Sequence, residues 1–215
     1  MKNTYSSPIA PFATILAVAI ILVWCVVALL LDQHLLAAQK SKLLMTVGAA
    51  DGELLSNGQW WRIVTSQFLH VHFLHMLFNA GCVVVIGSFI EKRYGWWSVA
   101  AVYFCGGSIG QIASVVSYPD LVSSGASQAL MALCGAALLI ETARSPKLLV
   151  LAIIAIQVAL DVYVAQKVKA GHSFGFLGGL LAGSALLLFR GSQSISEPSK
   201  PMQPTCEDAR TDGRR

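Results

Sequence analysis

Six apolar segments, each close to the roughly 20 residues that a helix needs to cross a bilayer, dominate this sequence. They cover residues 11–31, 73–90, 96–116, 127–143, 148–165 and 172–189, and charged or proline-containing connectors separate the later ones. Only 12% of the 215 residues are charged, whereas soluble domains carry about 25%. The pattern predicts an all-α membrane protein with six transmembrane helices.

The first apolar segment resembles a signal peptide only superficially. It is longer than the usual hydrophobic core of about 7–15 residues, and no small-residue cleavage site follows it. We therefore expect a retained helix. Residues 1–10 would form a short cytoplasmic segment and residues 11–190 one membrane domain. Residues 191–215 are polar and rich in proline and serine, so we expect a disordered tail.

The connector of residues 32–72 is amphipathic and carries Trp60, Trp61 and Phe68. Because tryptophan is common at membrane–water boundaries, we predict an interfacial loop between the first two helices. Basic residues divide almost equally between the two sides, and those of the tail favour cytoplasmic termini. With no transit-like N-terminus, we expect a bacterial plasma membrane. The small net charge of +4 and the absence of a basic run do not suggest nucleic acid as a partner.

Four polar residues lie at or near the beginnings of the even-numbered apolar segments, namely His75, Asn79, Ser127 and His172. Ionisable groups inside membrane helices are costly and are functional candidates by default. In an antiparallel bundle, the N-terminal ends of the second, fourth and sixth helices lie on one side of the membrane. These side chains are therefore expected at a similar depth. Glycines at 175, 179 and 183 favour close approach of the fourth and sixth helices.

This constellation is suited to nucleophilic catalysis. Serine becomes a good nucleophile when a base within hydrogen-bond reach takes its proton, and His172 is the natural base for Ser127. The Asn79 amide, a His75 ring N–H and the backbone N–H of Ser127 could stabilise an oxyanion. Since Asp161 lies late in the fifth segment, we expect no acidic residue to orient His172. The prediction is a dyad and not a triad.

Four short motifs, in order, resemble those of the rhomboid intramembrane serine proteases. Residues 60–70, WWRIVTSQFLH, are similar to the family's tryptophan–arginine loop signature. His75 to Asn79 resembles its His-x-x-x-Asn motif, with His70 five residues upstream. Gly125 to Ser127 resembles its Gly-x-Ser motif, and His172 with Gly175 and Gly179 its last-helix motif. Order and spacing agree over roughly residues 10–190, so the resemblance implies a six-helix rhomboid-like bundle.

The resemblance implies that Ser127 is the nucleophile and His172 its base, with His75 and Asn79 stabilising the oxyanion. It further implies cleavage of transmembrane protein substrates near the outer membrane face, within the lipid bilayer and without a metal or cofactor. Two residues depart from the family pattern. Gln128 replaces a small residue and could crowd the oxyanion pocket or add a donor, and Gly171 replaces a common alanine.

Other interpretations stay open. A catalytically inactive rhomboid-like protein would bind membrane clients without cutting them, although neither Ser127 nor His172 is lost. A small transporter is less well supported because we find no internal repeat. A zinc site formed by His70, His72 and His75 is a further interpretation. It would have no carboxylate ligand, and His70 and His72, two residues apart, would not share a helix face. Arg62 is expected to hold the first loop by bonding to carbonyls. The sequence does not indicate the oligomeric state.

Overall fold

The structure, a computed structural model, describes residues 10–196, and over this range the chain is helical without a β-strand. An isolated antiparallel bridge joins Ala50 to Ser123. Among residues 10–196, five helices are long and apolar enough to cross a membrane. The all-helical class with several membrane-spanning helices agrees with the sequence. Residues 1–9 and 197–215, which include most of the predicted N-terminal segment and tail, lie outside the described residues.

The long apolar helices follow one another with short connections after the first loop. Their bounds are α1 (Pro11–Leu30), α5 (Phe73–Tyr94), α6 (Trp96–Ala101), α7 (Gly107–Ser117), α8 (Ser127–Ile140), α9 (Arg144–Ala165) and α10 (Ala170–Ser196). A π-helical stretch, Val102–Gly106, joins α6 and α7 into one continuous span. α10 continues past residue 190, where the sequence predicted the polar tail to begin.

The fourth predicted span is shorter than its apolar segment. α8 has 14 residues, which is about 21 Å at 1.5 Å per residue, against a hydrocarbon core of about 30 Å. All of its residues except Leu138 and Leu139 are buried. Because α5, α7, α9 and α10 pack around it, α8 is the central helix of the bundle. The count of six membrane spans stays a prediction, with five long helices and this enclosed one.

Glycines bring α10 against α8. A β-carbon on Gly175 would collide with the carbonyl oxygen of Gln128, and one on Gly179 with that of Ala132. At Gly183, a β-carbon would lie 2.9 Å from the α-carbon of Ala136. The predicted close approach of the fourth and sixth helices is thereby confirmed, and it brings the N-terminal ends of α8 and α10 together.

The connector between α1 and α5 contains three short helices, α2 (Ser41–Thr46), α3 (Gly52–Ser56) and α4 (Arg62–Thr65). Arg62, only 7% exposed, lies at its centre. Its Nη1 donates to the carbonyl oxygens of Met45 at 2.6 Å and Ala49 at 2.8 Å. Its Nε donates to Gln59 Oε1 at 2.7 Å. Arg62 thus makes the carbonyl bonds expected of it, while the position of this loop at a membrane surface stays a prediction.

Candidate functional site

Ser127 and His172 face each other at the beginnings of two helices. Ser127 is the first residue of α8, and His172 lies in the first turn of α10. Both are buried, and His172 Nε2 lies 2.7 Å from Ser127 Oγ. This distance is within hydrogen-bond range, so the hydroxyl proton can pass directly to the imidazole.

The turn before Ser127 is fixed from two sides. Gly125 has a φ of +132°, a backbone conformation that residues with a side chain rarely adopt. Its N–H donates to the carbonyl of Ser66 at 2.9 Å. Its own carbonyl accepts from Gln111 Nε2 at 3.1 Å. The glycine of the Gly-x-Ser motif therefore shapes the entry into α8.

A carboxylate completes a chain of hydrogen bonds that the sequence interpretation excluded. Asp161 Oδ2 lies 2.6 Å from His172 Nδ1 and also accepts from the backbone N–H of Lys169 at 3.1 Å. The prediction that no acidic residue orients His172 is wrong. Asp161 lies near the C-terminal end of α9, and that end is on the same side of the bundle as the N-terminal end of α10. A short turn through Gln166, which has a φ of 56°, then leads from the end of α9 directly into α10.

These contacts suit one proton arrangement of the imidazole. An ionised carboxylate can only accept hydrogen bonds, and beside one the Nδ1 of His172 would carry the proton and donate it to Asp161. Nε2 then has a free lone pair directed at Ser127 Oγ. A neutral histidine in this tautomer is the form that a general base requires.

Ser127 opens onto a cavity of about 730 Å³ between α5, α8 and α9. This volume suits a peptide segment or a drug-sized ligand. Apolar and polar side chains share the lining, which includes His70, Phe73, His75, Phe78, Ser127, Gln157, Leu160 and Asp161. The serine is therefore buried within the helical bundle but accessible to a ligand.

The three groups expected to stabilise an oxyanion are placed differently. His75 lines the cavity together with Ser127. Ser127 is the first residue of α8, so its backbone N–H has no carbonyl acceptor within the helix and is free to donate elsewhere. Asn79 is fully buried away from the cavity lining, and its Nδ2 lies 3.2 Å from His70 Nε2. The oxyanion role of Asn79 stays a prediction.

His70 connects the first loop to the turn before Ser127. Its Nε2 accepts from the backbone N–H of Ala126 at 3.2 Å, and its Nδ1 lies 3.2 Å from the carbonyl oxygen of Phe68. Burial lowers the pKa of His70 to about 3. The neutral ring can therefore act as acceptor at Nε2 and donor at Nδ1. The sequence placed His70 upstream of the His75 motif but did not indicate this contact.

Gln128 points away from the cavity, between α7 and α10. Its Nε2 lies 3.5 Å from Ser114 Oγ, and its Oε1 lies 3.2 Å from Ser127 Oγ. A β-carbon on Gly171 would lie 3.1 Å from Gln128 Cγ, and one on Gly110 would lie 2.6 Å from Gln128 Cβ. The two departures from the family pattern are thus neighbours, because the large side chain at 128 occupies space next to a glycine at 171.

Within residues 10–196, no group of three or more histidine, cysteine, aspartate or glutamate side chains is placed to hold a metal ion.

The sequence of this chain matches a known protein family and several named proteins. The model of the Rhomboid domain family matches residues 57–189. The chain is similar to Rhomboid protease GluP of Bacillus subtilis (strain 168), with 32% identity over 66% of this chain and 29% of the relative. It is also similar to RHOMBOID-like protein 7 of Arabidopsis thaliana, with 35% identity over 71% of this chain and 51% of the relative. Rhomboid-like protease 3 of Toxoplasma gondii is 32% identical over 68% of this chain and 57% of the relative. The chain thus spans between 29% and 57% of the length of these three relatives.

Proposed function

The chain belongs to the rhomboid family, and on that premise we propose that it is an intramembrane serine endopeptidase that cleaves transmembrane segments of other proteins. Ser127 is the nucleophile and His172 the general base. The observation that carries this proposal is the 2.7 Å separation of Ser127 Oγ and His172 Nε2 at the edge of a cavity. Relatives named as proteases in bacteria and in Toxoplasma gondii support the same activity.

The reaction proceeds through an acyl-enzyme. Ser127 Oγ attacks the carbonyl carbon of the scissile peptide bond while its proton passes to His172 Nε2. The resulting imidazolium gives that proton to the leaving nitrogen, and the C–N bond breaks. Water then gives a proton to His172 and attacks the ester carbonyl, and the Ser127 hydroxyl is regenerated when the acid product leaves.

The negative charge of each tetrahedral intermediate needs hydrogen-bond donors. Ser127 and His75 both border the cavity, so the Ser127 backbone N–H and the His75 ring are the candidate donors. A helix N-terminus also carries a partial positive charge that favours an anion. Asn79 would contribute only if its amide broke its contact with His70 and donated to the oxyanion instead.

Substrate access is proposed to occur beside α9. Only 22% of its most apolar stretch is buried, against 33–44% in the other four long helices. α9 packs chiefly against α8 and forms one wall of the cavity through Gln157, Leu160 and Asp161. A transmembrane substrate could therefore enter from the lipid bilayer by displacing α9, with cleavage near the outer face and both termini of the enzyme in the cytoplasm.

A second candidate is a rhomboid-like protein that binds membrane clients without cutting them. One contact favours it. Gln128 Oε1 lies 3.2 Å from Ser127 Oγ and is a second acceptor for the hydroxyl proton. A hydroxyl that donates to the amide is not aligned with His172, which would weaken the nucleophile.

The two candidates separate in one experiment on the purified full-length chain. In liposomes that hold a substrate with a single transmembrane segment, we expect the wild type to cleave, and Ser127→Ala and His172→Ala to lose cleavage. Ser184→Ala and His34→Ala are matched controls, because Ser184 is exposed on the far part of α10 and His34 is exposed in the connector. A fluorophosphonate probe should label the wild type and not Ser127→Ala.

Cleavage by Ser127→Ala at the wild-type rate would refute the assigned nucleophile. A wild type that neither cleaves nor accepts the probe, yet retains the substrate on co-purification, would establish the client-binding protein.

A further inference from the structure

Asp161 is a buried carboxylate whose position needs a physical reason. Its side chain is 1% exposed, at the end of an apolar helix. Removing a carboxylate from water is costly unless charged or donating groups surround it. Three such groups converge on Asp161, namely the His172 Nδ1, the Lys169 backbone N–H, and the Lys169 ammonium at 3.7 Å from Oδ1.

We infer that Asp161 is a positioning residue of the proposed protease, which holds the His172 ring and its tautomer for proton transfer from Ser127. The inference rests on the proposed function and extends its mechanism from a dyad of Ser127 and His172 to a triad that includes Asp161. The carboxylate contacts the imidazole at Nδ1, on the side away from Ser127. It acts only through His172.

Geometry distinguishes this role from a surface ion pair. Lys169 is 46% exposed, so its ammonium could pair with a carboxylate in solvent without burying it. Asp161 instead directs Oδ2 inward to the 2% exposed His172 and leaves Oδ1 towards Lys169. The shortest contact of the carboxylate, 2.6 Å, is the one with the proposed base.

The chemistry gains two things from this contact. Without a partner at Nδ1, a neutral imidazole can carry its proton on either nitrogen, and the Nε2–H tautomer cannot accept from Ser127. An acceptor at Nδ1 selects the productive tautomer. When His172 takes the serine proton, the adjacent carboxylate also stabilises the imidazolium that forms.

Asp161→Asn is the direct test in the full chain, because it retains size and removes the obligatory acceptor. We expect kcat to fall roughly 10²- to 10⁴-fold, the range from general acid–base catalysis to the loss of a triad carboxylate. KM and the thermal unfolding midpoint should stay close to wild type. Asp161→Glu should recover part of the kcat. Glu53→Gln removes an exposed carboxylate of equal charge and should leave cleavage unchanged.

A spectroscopic readout does not depend on whether the variants fold. A strong Nδ1–H to carboxylate bond should give a low-field proton resonance, correlated with a ¹⁵N-labelled His172 ring. We expect this resonance in the wild type and in Ser127→Ala. Its absence from the wild type would overturn the inference, as would full-rate cleavage by Asp161→Asn.

Asp161→Asn could instead lose cleavage together with a large drop in the thermal unfolding midpoint, with no recovery of cleavage in Asp161→Glu. That result would show that Asp161 has only a structural role, and it would also overturn the inference. Failure of the proposed function has a different signature. In that case the wild type would not cleave or accept the fluorophosphonate, although the low-field resonance persists.

Discussion

Gly179 of α10 lies so close to Ala132 of α8 that a β-carbon on the glycine would overlap with the alanine carbonyl oxygen. Gly179→Ala must therefore push the two helices apart. Overpacking of this kind typically costs about 1–3 kcal/mol. We expect a lower thermal unfolding midpoint and slower cleavage, because the same separation moves His172 away from Ser127.

Gly81→Ala is the matched control for that substitution. Gly81 lies within α5, and apart from its chain neighbours and the nearby backbone of α5 itself, nothing lies within 4 Å of the place where its β-carbon would be. Alanine favours a helix over glycine by about 1 kcal/mol, so the unfolding midpoint should be unchanged or higher. Equal midpoints for Gly179→Ala and the wild type would contradict the tight packing of α8 and α10.

Arg62 should not be replaceable by lysine. Its guanidinium bonds to two carbonyls and to Gln59 from a position that is 7% exposed. The single ammonium of a lysine cannot reach the same three acceptors. Each buried acceptor left without a partner lowers the unfolding free energy by about 1–3 kcal/mol. We expect Arg62→Lys to lower the unfolding midpoint and to increase proteolytic cutting within the connector of residues 32–72.

The corresponding control is Arg93→Lys, at an exposed position at the end of α5. This variant should match the wild type in both measurements. If Arg62→Lys were as stable and as resistant as Arg93→Lys, the guanidinium bonds would not stabilise the loop.

Stability should fall in mild acid because of His70. Burial lowers its pKa to about 3, and the His75 ring, 6.0 Å away, acts in the same direction. An unfolded histidine has a pKa of about 6.5, so the unfolded chain binds a proton in the window between these values and the folded chain does not. The unfolding free energy is therefore retained above pH 6.5 and lost progressively as the pH falls towards 3.

The measurement is the thermal midpoint between pH 7.5 and 4.5 for the wild type and His70→Gln, where the glutamine oxygen can still accept from Ala126. The variant should lose less stability on acidification. His34→Gln, at an exposed position, should follow the wild type. Parallel curves for all three proteins would show that His70 is not the group responsible.

The sequence predicted that Ser127 and His172 would lie together because helix parity is a strong constraint. Ser127 and His172 begin two even-numbered apolar segments, and the glycines of α10 indicated which helices touch. The same reasoning could have located Asp161, since the end of an odd-numbered helix lies at that level. Its late position in the fifth segment, which led us to expect no acidic residue at His172, is what places it there.

Other features depend on tertiary contacts that a linear pattern does not contain. The apolar run stops at Ile140, where Glu141 follows and α8 ends, but hydropathy cannot show that this short helix is enclosed by a ring of other helices. The Asn79 amide reaches His70 rather than the cavity because of the folded connector, which brings residues 68–70 over α5. The direction of the Gln128 side chain likewise depends on glycines at 110 and 171.

The weak burial of α9 leads to a last prediction, that this helix must move for a transmembrane substrate to enter. Leu74 of α5 and Leu160 of α9 line the same cavity from opposing helices. Cysteines at both positions, in a chain whose five native cysteines are replaced, can be joined by a reducible bifunctional linker. We expect the tether to block cleavage of a membrane-embedded substrate, and reduction to restore it.

The small fluorophosphonate probe provides the control for this experiment, since it can reach Ser127 without displacing a helix. Labelling should continue in the tethered protein, because the link also keeps Asp161 of α9 beside His172. Each single-cysteine variant treated with the linker should cleave as before treatment. Undiminished cleavage of the membrane substrate by the fully tethered protein would mean that substrates reach Ser127 by a route that does not separate α9 from α5.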